Sequence, residues 1–97
     1  MDKERLKLPK RLDTPAAIKL APDLLAVVGA PLVLDGSKIT FAGALGLQVL
    51  ASARLQWETD GLEFRLDNPS PALDEARRQL GLSTAELGYA VEPEAAP

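Results

Sequence analysis

The chain is predicted to be α/β, with a mixed sheet of about four strands and helices packed against it. Three observations carry this. Short runs with strand chemistry ("KERLKLP", "PLVLD", "LEFRLD") alternate with longer runs of helical spacing. The joints between them carry cap and stop residues. The length of 97 residues, with 46% hydrophobic and 26% charged side chains, suits one soluble domain whose core is modest. Phe41, Trp57, Phe64 and Tyr89 are the only aromatics, so aliphatic residues must fill that core.

In "KERLKLP", Lys3, Arg5 and Lys7 alternate with Glu4, Leu6 and Leu8, the pattern of a strand with a charged outer face. Its lysines and the following Pro9 suit an edge position. "RLD" continues after the proline as a short second strand. The first helix is "DTPAAIKLAPDLLAVVG", capped by Asp13 or Thr14, with Pro15 in the first turn and Gly29 at the end. Ile18, Leu24, Leu25 and Val28 are expected to share its buried stripe, and Pro22 to kink it or split it in two. "PLVLD" lacks alternation, as in a central strand covered on both faces.

The second helix is "ALGLQVLASARLQWET", where Leu50, Ala53 and Trp57, and also Leu45, Val49 and Ala53, recur at helical spacing. Gly46 within it marks close packing against a neighbouring backbone, and Asp60-Gly61 turns the chain. In "LEFRLD", Leu62, Phe64 and Leu66 alternate with Glu63, Arg65 and Asp67, a strand nearer an edge than "PLVLD". Ser70 caps a third helix that has Pro71 at its first position, and Leu73, Ala76 and Leu80 form its stripe. Gly81-Leu82 matches a glycine stop with its hydrophobic clasp, and Ser83 with Glu86 forms a capping box for one last turn. The expected domain is residues 1–86, followed by an acidic, disordered tail at 87–97.

Composition narrows the chemistry. There is no cysteine, which excludes disulfides and thiolate chemistry, and no histidine, which removes the commonest general base and metal ligand. No stretch is long enough to span a bilayer, and the charged start "MDKERLKLPK" is not a secretory signal, so the expected compartment is the cytoplasm. Residues 1–20 hold six Lys/Arg against three acids, whereas residues 81–97 hold three Glu and no base. Without a basic domain or an aromatic-basic stripe, this is read as a solvated edge rather than a nucleic-acid surface.

Four features merit a functional reading. Gly43-Ala44-Leu45-Gly46 opens the second helix, where free N–H groups attract anions, but it matches neither phosphate-loop fingerprint. Asp35 and Asp67 end successive strands at one sheet edge, where ligands of open sheets bind, yet each is accounted for by bonding to its local turn. Ser37 and Thr40 lie in the preceding loop, as turn formers or phosphoacceptors, with no imidazole to activate either. Phe41 either plugs the core or forms an exposed contact.

"VLDGSKITFAGALGLQVL" resembles the central segment of STAS domains, the module shared by sulfate transporters and anti-sigma-factor antagonists. Asp35-Gly36-Ser37, Ile39-Thr40-Phe41 and Gly46-Leu47 carry the likeness. "LPKRLDTPAA" resembles the family's first hairpin and helix start, and "GLEFRLDNPSPALDEARRQLGL" its fourth strand and third helix, over roughly residues 4–85. The departure is informative: the family's Asp-Ser-Ser falls on Gly43, Ala44 and Leu45, with the regulatory phosphoserine at Leu45. The resemblance implies a STAS-like fold and a non-enzymatic protein-binding role without the phosphoserine switch and without a cofactor. Partner contact is expected from Phe41, Gly43, Ala44 and Leu45, with Ser37 and Thr40 at the rim. "GLQVLASARLQWETDGLEF" is most similar to the small single-domain proteins of bacterial chemotaxis systems. The partner would then be a signalling protein, namely a chemotaxis component, a kinase or an anti-sigma factor. The alternatives are an anti-sigma-factor antagonist, an accessory subunit of a lipid or anion transporter, and a small nucleotide-binding protein using Asp35 and Asp67.

Overall fold

A computed structural model of the chain describes residues 2–90. Strand β1 (Glu4–Lys7) is followed by β2 (Arg11–Leu12), α1 (Thr14–Ala26), β3 (Leu32–Asp35), β4 (Phe41–Ala42), α2 (Ala44–Thr59), β5 (Phe64–Asp67), α3 (Pro71–Gln79) and a 3-10 turn, Ala85–Leu87. The main sheet has the order β1-β3-β5, and β2 pairs with β4 in a separate two-stranded ladder. Every ladder is parallel. The α/β class therefore holds, with a smaller and wholly parallel sheet in place of the expected mixed one. The expected first hairpin does not form, because Pro9 carries the chain out of β1 and β2 finds its partner thirty residues later. The central place of β3 and the edge place of β5 are as read.

Alternation along the strands sorts the main sheet into two unlike faces. Glu4, Leu32 and Phe64 are in register, as are Leu6, Leu34 and Leu66, and this face supplies the core. The other face carries Arg5, Val33 and Arg65 in one row and Lys7, Asp35 and Asp67 in the next. The strand β3 is thus not covered by apolar layers on both sides. Val33 is buried, yet it stands outside the core cluster, between the aliphatic stems of Arg5 and Arg65. Lys3–Glu63 (2.9 Å), Arg65–Glu63 (3.2 Å) and Arg65–Asp67 (2.8 Å) hold that charged roof together.

The core gathers Leu8, Leu12, Leu20, Leu24, Leu32, Leu34, Ile39, Leu47, Leu50, Trp57, Leu66, Leu73 and Leu87. The caps are those the sequence signals: Asp13 accepts from the Ala16 N–H (3.1 Å) and Ser70 from the Leu73 N–H (3.1 Å). Ser83 and Glu86 bond reciprocally as a capping box. Pro22 sits inside one continuous α1 rather than splitting it. Both Pro22 and Ile18 are exposed, so the Ile18 carbonyl that loses its partner has water within reach.

Helix α1 corrects the expected stripe. Its buried residues are Ala17, Leu20 and Leu24, whereas Ile18, Leu25 and Val28 are exposed. Both sets recur with the helical period, about a quarter-turn apart, so periodicity alone could not choose between them. In α2 the core takes Gly46, Leu47, Leu50 and Trp57, and leaves Leu45 exposed.

Gly46 is required by space. A Cβ there would lie 2.5 Å from Leu12 Cγ and 3.2 Å from the Leu12 carbonyl oxygen. Because the carbonyl is backbone, it cannot rotate away. Gly46→Ala should therefore destabilise the domain by about 1–3 kcal/mol, although alanine is the better helix former; urea unfolding checks this.

Beyond α3 the chain packs through Ala90. Leu87 is fully buried, the Leu66 N–H donates to the Gly88 carbonyl (2.7 Å), and the Ala90 N–H donates to the Leu66 carbonyl (3.2 Å). The expected boundary at residue 86 falls inside this packed segment. The remainder of the expected 87–97 tail, residues 91–97, lies outside the described residues. Tyr89 Oη donates to Asp74 Oδ1 (3.0 Å), and Arg77 binds the same carboxylate (2.9 Å). Arg77 is the main cause of the Asp74 carboxyl lying below its ordinary range, so that contribution is lost only in acid. Burial, then the bond to Asp74, pushes the Tyr89 phenol up to about 12. Its protonated form is the one the fold favours. The contribution is whole below the ordinary value of 10.0 and is lost as pH rises toward about 12. Urea titrations should show stability falling across that window. Tyr89→Phe should flatten the fall and cost about 1 kcal/mol near neutral pH.

Candidate partner-binding site

The loop after β3 returns to β2 and sets the start of α2. The N–H groups of Thr40 (2.7 Å) and Phe41 (3.3 Å) both donate to the Lys10 carbonyl, as does Thr40 Oγ1 (3.2 Å). Two residues further along both strands, the Gly43 N–H donates to the Leu12 carbonyl (2.9 Å). Ile39 and Leu47 anchor the two ends in the core. The segment between them is held largely by backbone bonds; Ala42 packs against the core, whereas Phe41, Ala44 and Leu45 stay exposed.

Phe41 (41% exposed) and Leu45 (39% exposed) are the large apolar side chains of this segment, with exposed Ala44 between them. Phe41 is therefore a surface residue and not a core plug. Arg11, its register partner on β2, places its guanidinium 4.7 Å from the ring centroid. Gly43 is the N-cap of α2 and supplies no side-chain acceptor. Its φ is −97°, and an added Cβ would meet the Phe41 ring at 3.7 Å and the Leu12 carbonyl oxygen at 3.8 Å, both ordinary contacts. Neither conformation nor space demands glycine there, in contrast to Gly46. The bare junction is thus a surface character and not a packing necessity.

Leu45 also lines a groove of about 510 Å³ between the two helices, with Leu24, Leu25 and Val28 on one wall and Val49, Ala53 and Trp57 on the other. Because β2 and β4 run in parallel and each leads directly into its helix, α1 and α2 start side by side. Trp57 Nε1 donates to the Ala30 carbonyl (2.7 Å) and ties their far ends. Among the described residues no charged side chain lines the groove; Gln48, Ser52 and Gln56 supply its polar atoms. Sequence reasoning missed this groove because it assigned Leu25 and Val28 to the core. The signal available was that α1 carries apolar residues on two adjacent stripes, more than one buried face uses.

Ser37 belongs to a second cluster. Its N–H donates to Asp35 Oδ1 (2.9 Å), and that bond leads the causes that hold the Asp35 carboxyl below its ordinary range, with Asn68 and Lys7 adding to it. Asp35 and Asp67 are register neighbours, as expected for one sheet edge. Asp67, however, is engaged by Arg65 through two bonds (2.8 and 3.2 Å). A carboxylate pair working as acid and base needs one member with a raised pKa. Asp35 is moved the other way. Among the described residues no group of three or more His, Cys, Asp or Glu is placed to hold a metal ion.

The arrangement is a bare, apolar helix start beside a groove lined by apolar and uncharged polar side chains. A family model, "Mlab, STAS domain", matches residues 2–89. The chain belongs to the STAS family. No curated protein matches it significantly. STAS domains are generally non-catalytic regulatory or interaction modules, and that class of role is the one assigned here. Among the described residues no helix of this STAS domain is long and apolar enough to cross a membrane.

The assignment of α1's outer stripe to the surface is directly measurable. Leu25→Ser should change the unfolding free energy by less than about 0.5 kcal/mol. The neighbouring Leu24→Ala should cost about 2–5 kcal/mol in the same urea titration.

Proposed function

We propose that the chain is a cytoplasmic, non-enzymatic STAS adaptor in bacterial signal transduction, of the chemotaxis type. It docks a signalling protein on Phe41, Gly43, Ala44 and Leu45, with Ser37 and Thr40 at the rim. The observation that carries this reading is the exposure of Phe41 and Leu45 on a helix start held rigid by backbone bonds. An apolar surface of this kind loses little on desolvation and suits protein contact. The α1–α2 groove extends it without introducing charge. Leucine has no hydroxyl to accept a phosphate, so docking at this surface is not governed by a phosphoserine at position 45. The chemotaxis context is supported by the likeness of "GLQVLASARLQWETDGLEF".

Affinity capture from native extract, with mass spectrometry to identify what is retained, tests the reading. The wild-type chain should retain a signalling partner reproducibly. Leu45→Glu should lower its recovery about tenfold or more, by placing a charge in the centre of the contact, with the unfolding transition unchanged. Equal recovery on the variant would remove this surface from the proposal.

A further inference from the structure

We infer that the segment docking on Phe41 and Leu45 is a protein segment that pairs an apolar side chain with a carboxylate, and that Arg11 receives the carboxylate. The inference rests on the docking face proposed above and specifies the chemistry of its occupant.

Arg11 and Phe41 are opposite each other in the β2–β4 ladder, so their side chains leave the ladder on the same side. The guanidinium stands 4.7 Å from the Phe41 ring centroid, and the Arg11 side chain is nevertheless 63% exposed. Its recorded partner among the described residues is Asp13, at 3.7 Å from Nε, which is beyond hydrogen-bond distance. Asp13 is committed elsewhere, because its other oxygen caps α1 on the Ala16 N–H. A guanidinium held over a ring keeps donors for a planar, two-pronged acceptor, and that acceptor is a carboxylate. Holding the side chain in place beforehand lowers the entropy lost on binding. Arginine and aromatic residues are also the types that dominate interface energies.

The surrounding charge has the same sense. The chain has a net charge of −3, yet Gly36 to Trp57 contains no Asp or Glu. Lys10 and Lys38 are exposed in the two segments that meet at Thr40. Asp35, the acid just before this stretch, is engaged by the Ser37 N–H. An acidic partner would be steered to this end of the molecule. A lipid surface fits less well, since adsorption to anionic headgroups takes a cluster of several cations rather than one cation over a ring.

The probe is a random-peptide display library selected against the immobilised full chain, followed by titration of synthetic peptides from it. Enriched peptides should carry Asp or Glu next to Leu, Ile or Phe. Arg11→Gln should weaken them about tenfold, as should replacing the peptide carboxylate by its amide. The two changes together should cost no more than either one. Arg11→Lys should restore only part of the affinity, since charge returns without the fork. Peptides lost on Leu45→Glu but indifferent to Arg11→Gln overturn the carboxylate inference and leave the docking face standing. Peptides indifferent to Leu45→Glu overturn the face itself. Failure to enrich acidic–apolar sequences overturns the inference. So does binding of phosphatidylglycerol vesicles that Arg11→Gln abolishes, because it assigns Arg11 to a lipid headgroup.

Discussion

Leu12 pressed against the backbone of α2 at Gly46 is the contact on which the architecture turns. Leu12 is fully buried, and the space it fills is that of the missing side chain at position 46. This approach lets α2 begin directly after β4, which in turn lets β4 pair with β2 and not with the main sheet. Everything at the candidate site follows from that geometry. The Gly43 N–H reaches the Leu12 carbonyl, Phe41 comes opposite Arg11, and Leu45 turns outward while Leu47 turns in. A single absent methyl group thus sets both the packing and the outward presentation of the junction.

Local signals were legible wherever one short segment determines its own conformation. The third helix could be read from Ser70-Pro71 at one end and Gly81-Leu82 at the other, and the Ser83–Glu86 box forms as its spacing implies. Gly46 as a point of close approach was legible for the same reason: a helix-weakening residue needs a cause. The β2–β4 ladder was not legible. Two-residue strands have no periodicity, and the pairing joins positions thirty residues apart. For the site, the bare junction was visible in the sequence, but the exposure of Phe41 and its stacking with Arg11 depend on that distant register. Leu25 and Val28 failed differently. Their period was right, and a second stripe on the same helix had won the core.

The unlike faces of the main sheet divide the labour of the molecule. One side supplies the leucines that hold the domain together. The other is closed by ion pairs whose aliphatic stems cover Val33. Exposed pairs of this kind contribute little individually to stability. Their effect here is to keep Val33 out of water without another layer of helix. Most of the large apolar side chains left exposed lie on or beside α1 and α2, around the junction where docking is proposed.

The bond between Leu66 and the Gly88–Ala90 segment has a consequence for the order in which the protein can be built. The outer N–H and carbonyl of β5 are satisfied only by residues that leave the ribosome more than twenty positions later. The opposite edge, β1, carries Arg5 and Lys7 and ends near Pro9, features that discourage pairing from the moment of synthesis. The β5 edge has charges of its own in Arg65 and Asp67 and a proline at Pro69, but its Leu66 N–H and carbonyl stay unpaired until the Gly88–Ala90 segment docks. Between translation of Asp67 and of Ala90, the nascent chain therefore presents an open strand, and its capture by a neighbouring chain competes with completion of the domain.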